Sequence, residues 1–263
     1  MRRHRLALAL VAALTLVLST DSLVQAVKPE DNRATRERGN LIYERSCLFC
    51  HGEEGKGDGP AGWFQGRYAA PRPLNFTVGH FKFRSTASGD LPTDQDLFRT
   101  VTKGIPGYMP SFASLTEEER WQVIAYVKSF SPVFRMETPV PLPLAGASTP
   151  LLSESIERGR ALYTSFECHT CHSVDGRGDG PVNQAGELMD ATGLRIQATD
   201  LTSPSSFKNG SSSSDIVRTL MTGLDGTPMP SYAGQLIGRE RDAWDLVNYI
   251  HSLSSESFPW PVH

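Results

Sequence analysis

The chain has 263 residues, a formal charge of −3, 39% hydrophobic residues and four cysteines. A mildly acidic balance argues against nucleic acid as a partner. It fits a protein partner with a basic face, although ordinary solubility charge is the preferred reading. Four cysteines are too sparse for a disulfide framework, and the length suits two domains of ordinary size.

At the N-terminus Arg2, Arg3 and Arg5 precede an apolar run from Leu6 to Leu18, and Val24-Gln25-Ala26 ends in a small residue. This three-part layout reads as a signal peptide, residues 1–26, cut after Ala26. The 13-residue run is too short to span a bilayer, which needs about 20. No other stretch is long and apolar enough, so no membrane span is expected in the mature chain. That product is expected to be periplasmic or otherwise extracytoplasmic. Residues 1–26 carry three arginines and one aspartate, so the rest of the chain is −5.

A helix is predicted over residues 33–46, leading into Cys47-Leu48-Phe49-Cys50-His51. C-x-x-C-H reads as a site of covalent haem attachment, two thiolates becoming thioethers to the haem vinyl groups. Cysteines at i and i+3 project on one helix face, and His51 is thereby held over the iron as an axial ligand. Gly55-Lys56-Gly57-Asp58-Gly59-Pro60 follows, without the strand–helix setting that a phosphate loop needs. Residues 75–91 read as a long loop without periodicity. Beyond it come Arg99, then Met109-Pro110-Ser111-Phe112. Thr116 with Glu119 makes a capping box, behind which Trp121, Ile124, Val127 and Phe130 recur at helical spacing.

Residues 131–150 contain five prolines and little charge, which reads as a semi-rigid extended linker. Val133, Phe134, Val140 and Leu142 are expected to pack it along the domains.

The second half repeats the first, landmark by landmark. A helix is predicted over 153–167. Arg158-Gly159 and Tyr163 answer Arg38-Gly39 and Tyr43, and Cys168-His169-Thr170-Cys171-His172 is the second motif. Gly176 to Pro181, Arg218, Met229-Pro230-Ser231-Tyr232, Trp244 and Tyr249 keep the same order. The two cysteine pairs could form a zinc site, but 117 residues separate them, where a zinc ribbon uses a short loop. A thioredoxin-like pair needs a βαβ setting that is missing. Neither alternative explains a histidine after both pairs.

The sixth iron ligand decides what such a site can do. Met109 lies 58 residues after His51 and Met229 lies 57 after His172, each followed by Pro-Ser-aromatic. A single methionine is more often core filler, but this matched pair reads as iron ligation, with the proline stiffening each loop. Arg99 and Arg218 read either as partners of haem propionates or as solvated helix faces. His80 and His251 have no counterpart in the other half and read as structural.

The whole pattern resembles class I c-type cytochromes, and because both halves carry it, a tandem dihaem cytochrome c of bacterial respiratory chains. The resemblance implies a mainly α fold of two cytochrome c-like domains in tandem, each wrapped around one covalently attached haem. The expected domains are 27–131 and 151–263, joined by a linker at 132–150. It implies two haem c groups held by Cys47, Cys50, Cys168 and Cys171, with His51/Met109 and His172/Met229 as axial pairs. It also implies close packing of Gly39 on Tyr126 and of Gly159 on Tyr249 or the nearby tryptophans. The function expected is electron transfer between extracytoplasmic redox proteins, alone or as a subunit of a membrane-associated or molybdenum oxidoreductase complex. The alternative is a dihaem enzyme, such as a cytochrome c peroxidase, with one open iron position. Matched methionine loops argue against it.

Overall fold

Asn32 starts the first long helix by accepting the Thr35 amide at its side-chain oxygen, 3.0 Å away. The chain is described from a computed structural model over residues 28–68, 71–143 and 148–254. The expected signal segment lies outside these residues. Helix α1 (Arg33–Ser46) runs into a single turn, α2 (Leu48–His51), followed by α3 (Pro60–Tyr68) and α4 (Asp94–Lys103). Helix α5 (Glu117–Ser129) begins at the Thr116–Glu119 capping box read from the sequence. A single turn, α6 (Val133–Met136), then leads to α7 (Ser153–Ser165), α8 (His169–His172), α9 (Pro181–Gln184), α10 (Ser213–Thr222), α11 (Ala233–Leu236) and α12 (Glu240–Ser252). Two short 3-10 turns, Phe76–Val78 and Pro204–Ser206, and isolated β-bridges accompany them among the described residues. None of these helices is long and apolar enough to cross a membrane.

In each half the first and last long helices cross at a glycine. A Cβ on Gly39 would stand 2.1 Å from the Gln122 carbonyl oxygen and 2.9 Å from the Tyr126 Cβ. On Gly159 it would stand 1.9 Å from the Asp245 carbonyl oxygen and 2.7 Å from the Tyr249 Cβ. Mid-helix glycine costs about 1 kcal/mol relative to alanine. Here the missing side chain lets α1 meet α5, and α7 meet α12, at backbone distance. Beside each crossing two tyrosines meet edge to face, Tyr43 with Tyr126 at 5.3 Å and Tyr163 with Tyr249 at 5.1 Å.

Two separate cores result. The first gathers Ile42, Tyr43, Phe76, Leu97, Trp121 and Ile124. The second gathers Tyr163, Val217, Leu220, Leu236, Trp244 and Val247.

The linker departs from a purely extended path. Pro132 has φ −66°, which suits the start of a helical turn, and α6 follows it. Phe134 of that turn meets Phe81 edge to face at 5.5 Å. Further on, the Leu142 amide donates to the Ser85 carbonyl at 2.8 Å while its side chain packs on the second core. Val140, expected to pack, is 70% exposed.

A network of ions joins the halves. Arg84, fully buried, donates to the Thr222 carbonyl at 2.9 Å and to Asp225 at 2.7 Å. Asp225 also accepts from the Ser88 hydroxyl and the Gly89 amide. Arg99 reaches Asp215 at 3.1 Å and both oxygens of Asn209, while Lys103 and Arg218 each lie 2.7 Å from Asp215. Burial alone would raise the Asp215 carboxyl. Hydrogen bonds from Lys103 and Ser212, with the charges of Lys103 and Arg99, hold it below the usual range. Neither Arg99 nor Arg218 forms a solvated helix face: both are spent on Asp215, at the boundary between the halves.

Candidate functional site

One turn of backbone gathers the three motif residues in each half. The Cys50 and His51 amides both donate to the Cys47 carbonyl, at 3.1 and 2.9 Å; Cys171 and His172 do the same to Cys168, at 3.3 and 2.9 Å. All four cysteines are unpaired and half-buried. Burial, then the neighbouring Cys50, pushes the Cys47 thiol up to about 11, and burial pushes the Cys168 thiol up to about 11. The two sets stand in separate halves. Among the described residues no three His, Cys, Asp or Glu side chains converge as a metal cage.

Each motif histidine is aimed by a backbone carbonyl. His51 Nδ1 lies 3.3 Å from the Leu74 oxygen, and His172 Nδ1 lies 2.9 Å from the Thr199 oxygen. A carbonyl can only accept, so Nδ1 carries the proton and Nε2 keeps its lone pair. Burial lowers the pKa of both rings, keeping them neutral. Phe76 stacks on the His51 ring at 4.4 Å.

The glycine-rich loops hold the carbonyls in place. Gly57 donates to the His51 carbonyl at 2.8 Å, and Gly178 to the His172 carbonyl at 2.9 Å. Gly57 has φ +76°, and a Cβ there would lie 2.3 Å from the Pro73 oxygen, so only glycine lets the Pro73-Leu74 segment pass this close. From behind, the Tyr43 hydroxyl donates to the Gly52 carbonyl and the Tyr163 hydroxyl to the Ser173 carbonyl, both at 2.7 Å.

Met109 and Met229 are both half-buried and ride on loops after α4 and α10. Ile105 and Met109 exchange backbone hydrogen bonds at 2.8 and 2.9 Å, closing the first loop. In the second, the Leu224 amide donates to the Met229 carbonyl at 3.1 Å. The residues after each methionine fasten it. Ser111 Oγ donates to the Thr102 carbonyl at 2.7 Å, and Ser231 Oγ to the Met221 carbonyl at 2.5 Å. The Phe112 and Tyr232 amides bond back to Val101 and Leu220. The sequence gives these serines no role, though their repetition as the third residue of each landmark was the available signal. His80 is exposed, and His251 Nε2 lies 2.9 Å from Ser213 Oγ, which fits their structural reading.

Comparison with known proteins agrees with this geometry. Residues 34–127 match the family described as cytochrome c oxidase, cbb3-type, subunit III, and residues 156–254 match the cytochrome c family. The chain belongs to the cytochrome c family and carries two such domains in tandem. It is similar to a chain solved in the reducing HAO-like protein complex of Kuenenia stuttgartiensis. The identity is 39%, covering 87% of this chain and all of that one, with a TM-score of 0.78. No curated protein matches.

Proposed function

We propose that this protein is an exported electron carrier with two haem c groups, working as a subunit of a larger oxidoreductase complex. Cys47 and Cys50 hold one haem and Cys168 and Cys171 the other. His51 with Met109, and His172 with Met229, are the axial pairs. The domains run 27–131 and 151–263 about the linker 132–150, after removal of residues 1–26. Membership of a complex with redox protein partners rests on the likeness to a chain of the HAO-like complex.

The residues present fit haem c. Each half offers two unpaired thiols one turn apart, a neutral imidazole with Nδ1 already committed, and a thioether on a fastened loop. Haem c supplies a one-electron iron couple. The chain's own contribution is to present, in each half, an imidazole on a helical turn and a thioether on a fastened loop. Leu74 and Thr199 orient the imidazoles, and Ser111 and Ser231 keep each methionine from swinging away. The observation that carries the carrier reading is that both methionine loops are fastened in the same way. A peroxidase-type enzyme needs one of them to open.

The test is spectroscopic. Pyridine haemochrome should give two haems per chain, and the ferric protein should be low-spin with a methionine–iron charge-transfer band. Met109→Ala or Met229→Ala should each remove about half of that band, because each acts on one of two similar sites. A high-spin haem or peroxide turnover in the unaltered protein would favour the dihaem enzyme instead.

A further inference from the structure

The two methionine loops meet the opposite domain in different ways. The second begins at Gly223, where α10 ends, and is closed by the Leu224 amide on the Met229 carbonyl at 3.1 Å. Asp225, next to that closure, sends its carboxylate across the boundary. It accepts from Arg84 at 2.7 Å, from the Ser88 hydroxyl at 2.6 Å and from the Gly89 amide at 2.9 Å, all in one loop of the first domain. The same Arg84 nitrogen, Nη2, donates to the carbonyl of Thr222, the last residue of α10, at 2.9 Å. In the first methionine loop the Ile105 amide makes the equivalent closure on the Met109 carbonyl at 2.8 Å. The next residue there is Pro106, whose side chain has no acceptor. From the second domain, Lys208 Nζ lies over the Tyr108 ring, 5.5 Å from its centre. That is a weaker hold than a carboxylate with three donors.

Arg84 is itself fixed before it crosses the boundary. Its side chain is fully buried, Nε donates to the Ala87 carbonyl at 2.9 Å, and Nη1 donates to the Phe81 carbonyl at 3.2 Å. Two arms of the planar guanidinium are thus taken up within the first domain, and the third is offered to the second as a rigid bracket. Losing Asp225 would leave this cation buried and unpaired, which is costly, so the contact is held shut. An outward swing of Met229 pulls on its closure with Leu224 and so on Asp225. It must work against the bracket as well as against the Ser231 hydroxyl.

We propose that Arg84 is a positioning residue for Met229, so that the first domain holds in place the sixth ligand of the second domain's haem. This rests on the His172/Met229 axial pair proposed above. Exchange of the methionine for an outside ligand requires the loop to open, and the apparent affinity for that ligand rises with the open population. Met109, with no equivalent bracket, opens independently of Arg84.

The experiment is an imidazole titration of the ferric dihaem protein, read on the methionine–iron charge-transfer band. In a Met109→Ala background the remaining band belongs to Met229, and in a Met229→Ala background it belongs to Met109. Arg84→Gln should lower the imidazole concentration that halves the Met229 band by roughly tenfold, and Ser88→Ala should lower it by roughly twofold. Both should leave the Met109 band within about twofold. Asp245→Asn weakens the second domain away from this loop and should also leave the Met229 band within about twofold, which separates positioning from general loss of stability. Should Arg84→Gln fail to load two haems, Arg84→Lys keeps the charge without the fork and should shift the Met229 band in the same direction. An unmoved Met229 band in variants carrying two haems would overturn the proposal. So would equal shifts at both bands, or a response to Asp245→Asn as large as that to Arg84→Gln. If the unaltered protein shows no methionine band, the axial pair itself fails, which the haemochrome count and the single methionine variants tell apart.

Discussion

The two domains place their motif residues alike but fasten their helix pairs differently. Arg38 and Arg158 occupy equivalent positions, one before the crossing glycine. Arg38 reaches exposed Glu118 at 3.6 Å, a surface contact worth little. Arg158 instead reaches Asp245, whose side chain is fully buried, at 2.6 Å, and Ser155 donates to the same carboxylate at 2.5 Å. The residue equivalent to Asp245 in the first domain is neutral, Gln122, bonded to Glu118 on its own helix. One helix crossing is thus closed mainly by packing and the other by a buried charge. Their methionine loops differ too: the second is one residue longer, and Thr227 Oγ accepts the Met229 amide at 3.2 Å. Motif residues placed alike do not require equivalent ways of holding the helices together.

The strongest way to break the comparison is to let the domains act apart. Arg84→Met removes a fully buried cation and leaves Asp225 with only Ser88 and Gly89. A loss of about 3–5 kcal/mol is expected. Calorimetry should show one thermal transition in the unaltered protein and two in the variant. A single unshifted transition would mean that Arg84 contributes nothing to the boundary.

Next comes the acid response, which should separate the domains. Burial alone would raise the Asp245 carboxyl, but hydrogen bonds from Arg158 and Ser155 and the charges of Arg158 and Arg241 hold it below the usual range. Its folded value lies below its unfolded one. The stabilisation is therefore complete above about pH 4 and is lost as pH falls through the folded value. Asp245→Asn should destabilise the second domain by about 1–3 kcal/mol, discounted because Arg158 is partly exposed. It should also flatten the fall of that domain's stability below about pH 4. The unaltered first domain, with neutral Gln122 in the equivalent place, should lack this feature. Urea titrations followed at each haem's absorbance across pH would decide.

The smallest effect probes what the two domains share. Ser111→Ala and Ser231→Ala each delete one loop hydrogen bond, worth about 1 kcal/mol. Each should make its methionine band fade at lower denaturant concentration, with haem content unchanged. Equal shifts would show that the two loops are held alike in spite of their different lengths.

The legible parts of this molecule were the ones with period or repetition. Both leading helices, the Thr116 capping box and the stripes through Trp121 and Trp244 lie where the sequence places them, because helix patterning is local. So did each C-x-x-C-H turn. The role of Arg84 was not legible, since a lone arginine in a long loop carries no pattern and its partner stands 141 residues away. Asp245 sits inside an apolar stripe, where a polar residue reads as surface until its own neighbours are known. The helical turn α6 was hidden by prolines that begin it rather than forbid it.

Arg84 also gives the molecule an order of assembly. A ribosome delivers its loop well before Thr222 and Asp225 exist, and domains generally fold in that N-to-C order. Until the second half has formed, the guanidinium must stay in water with its loop undocked. The halves can therefore join at Arg84 only after the second has formed.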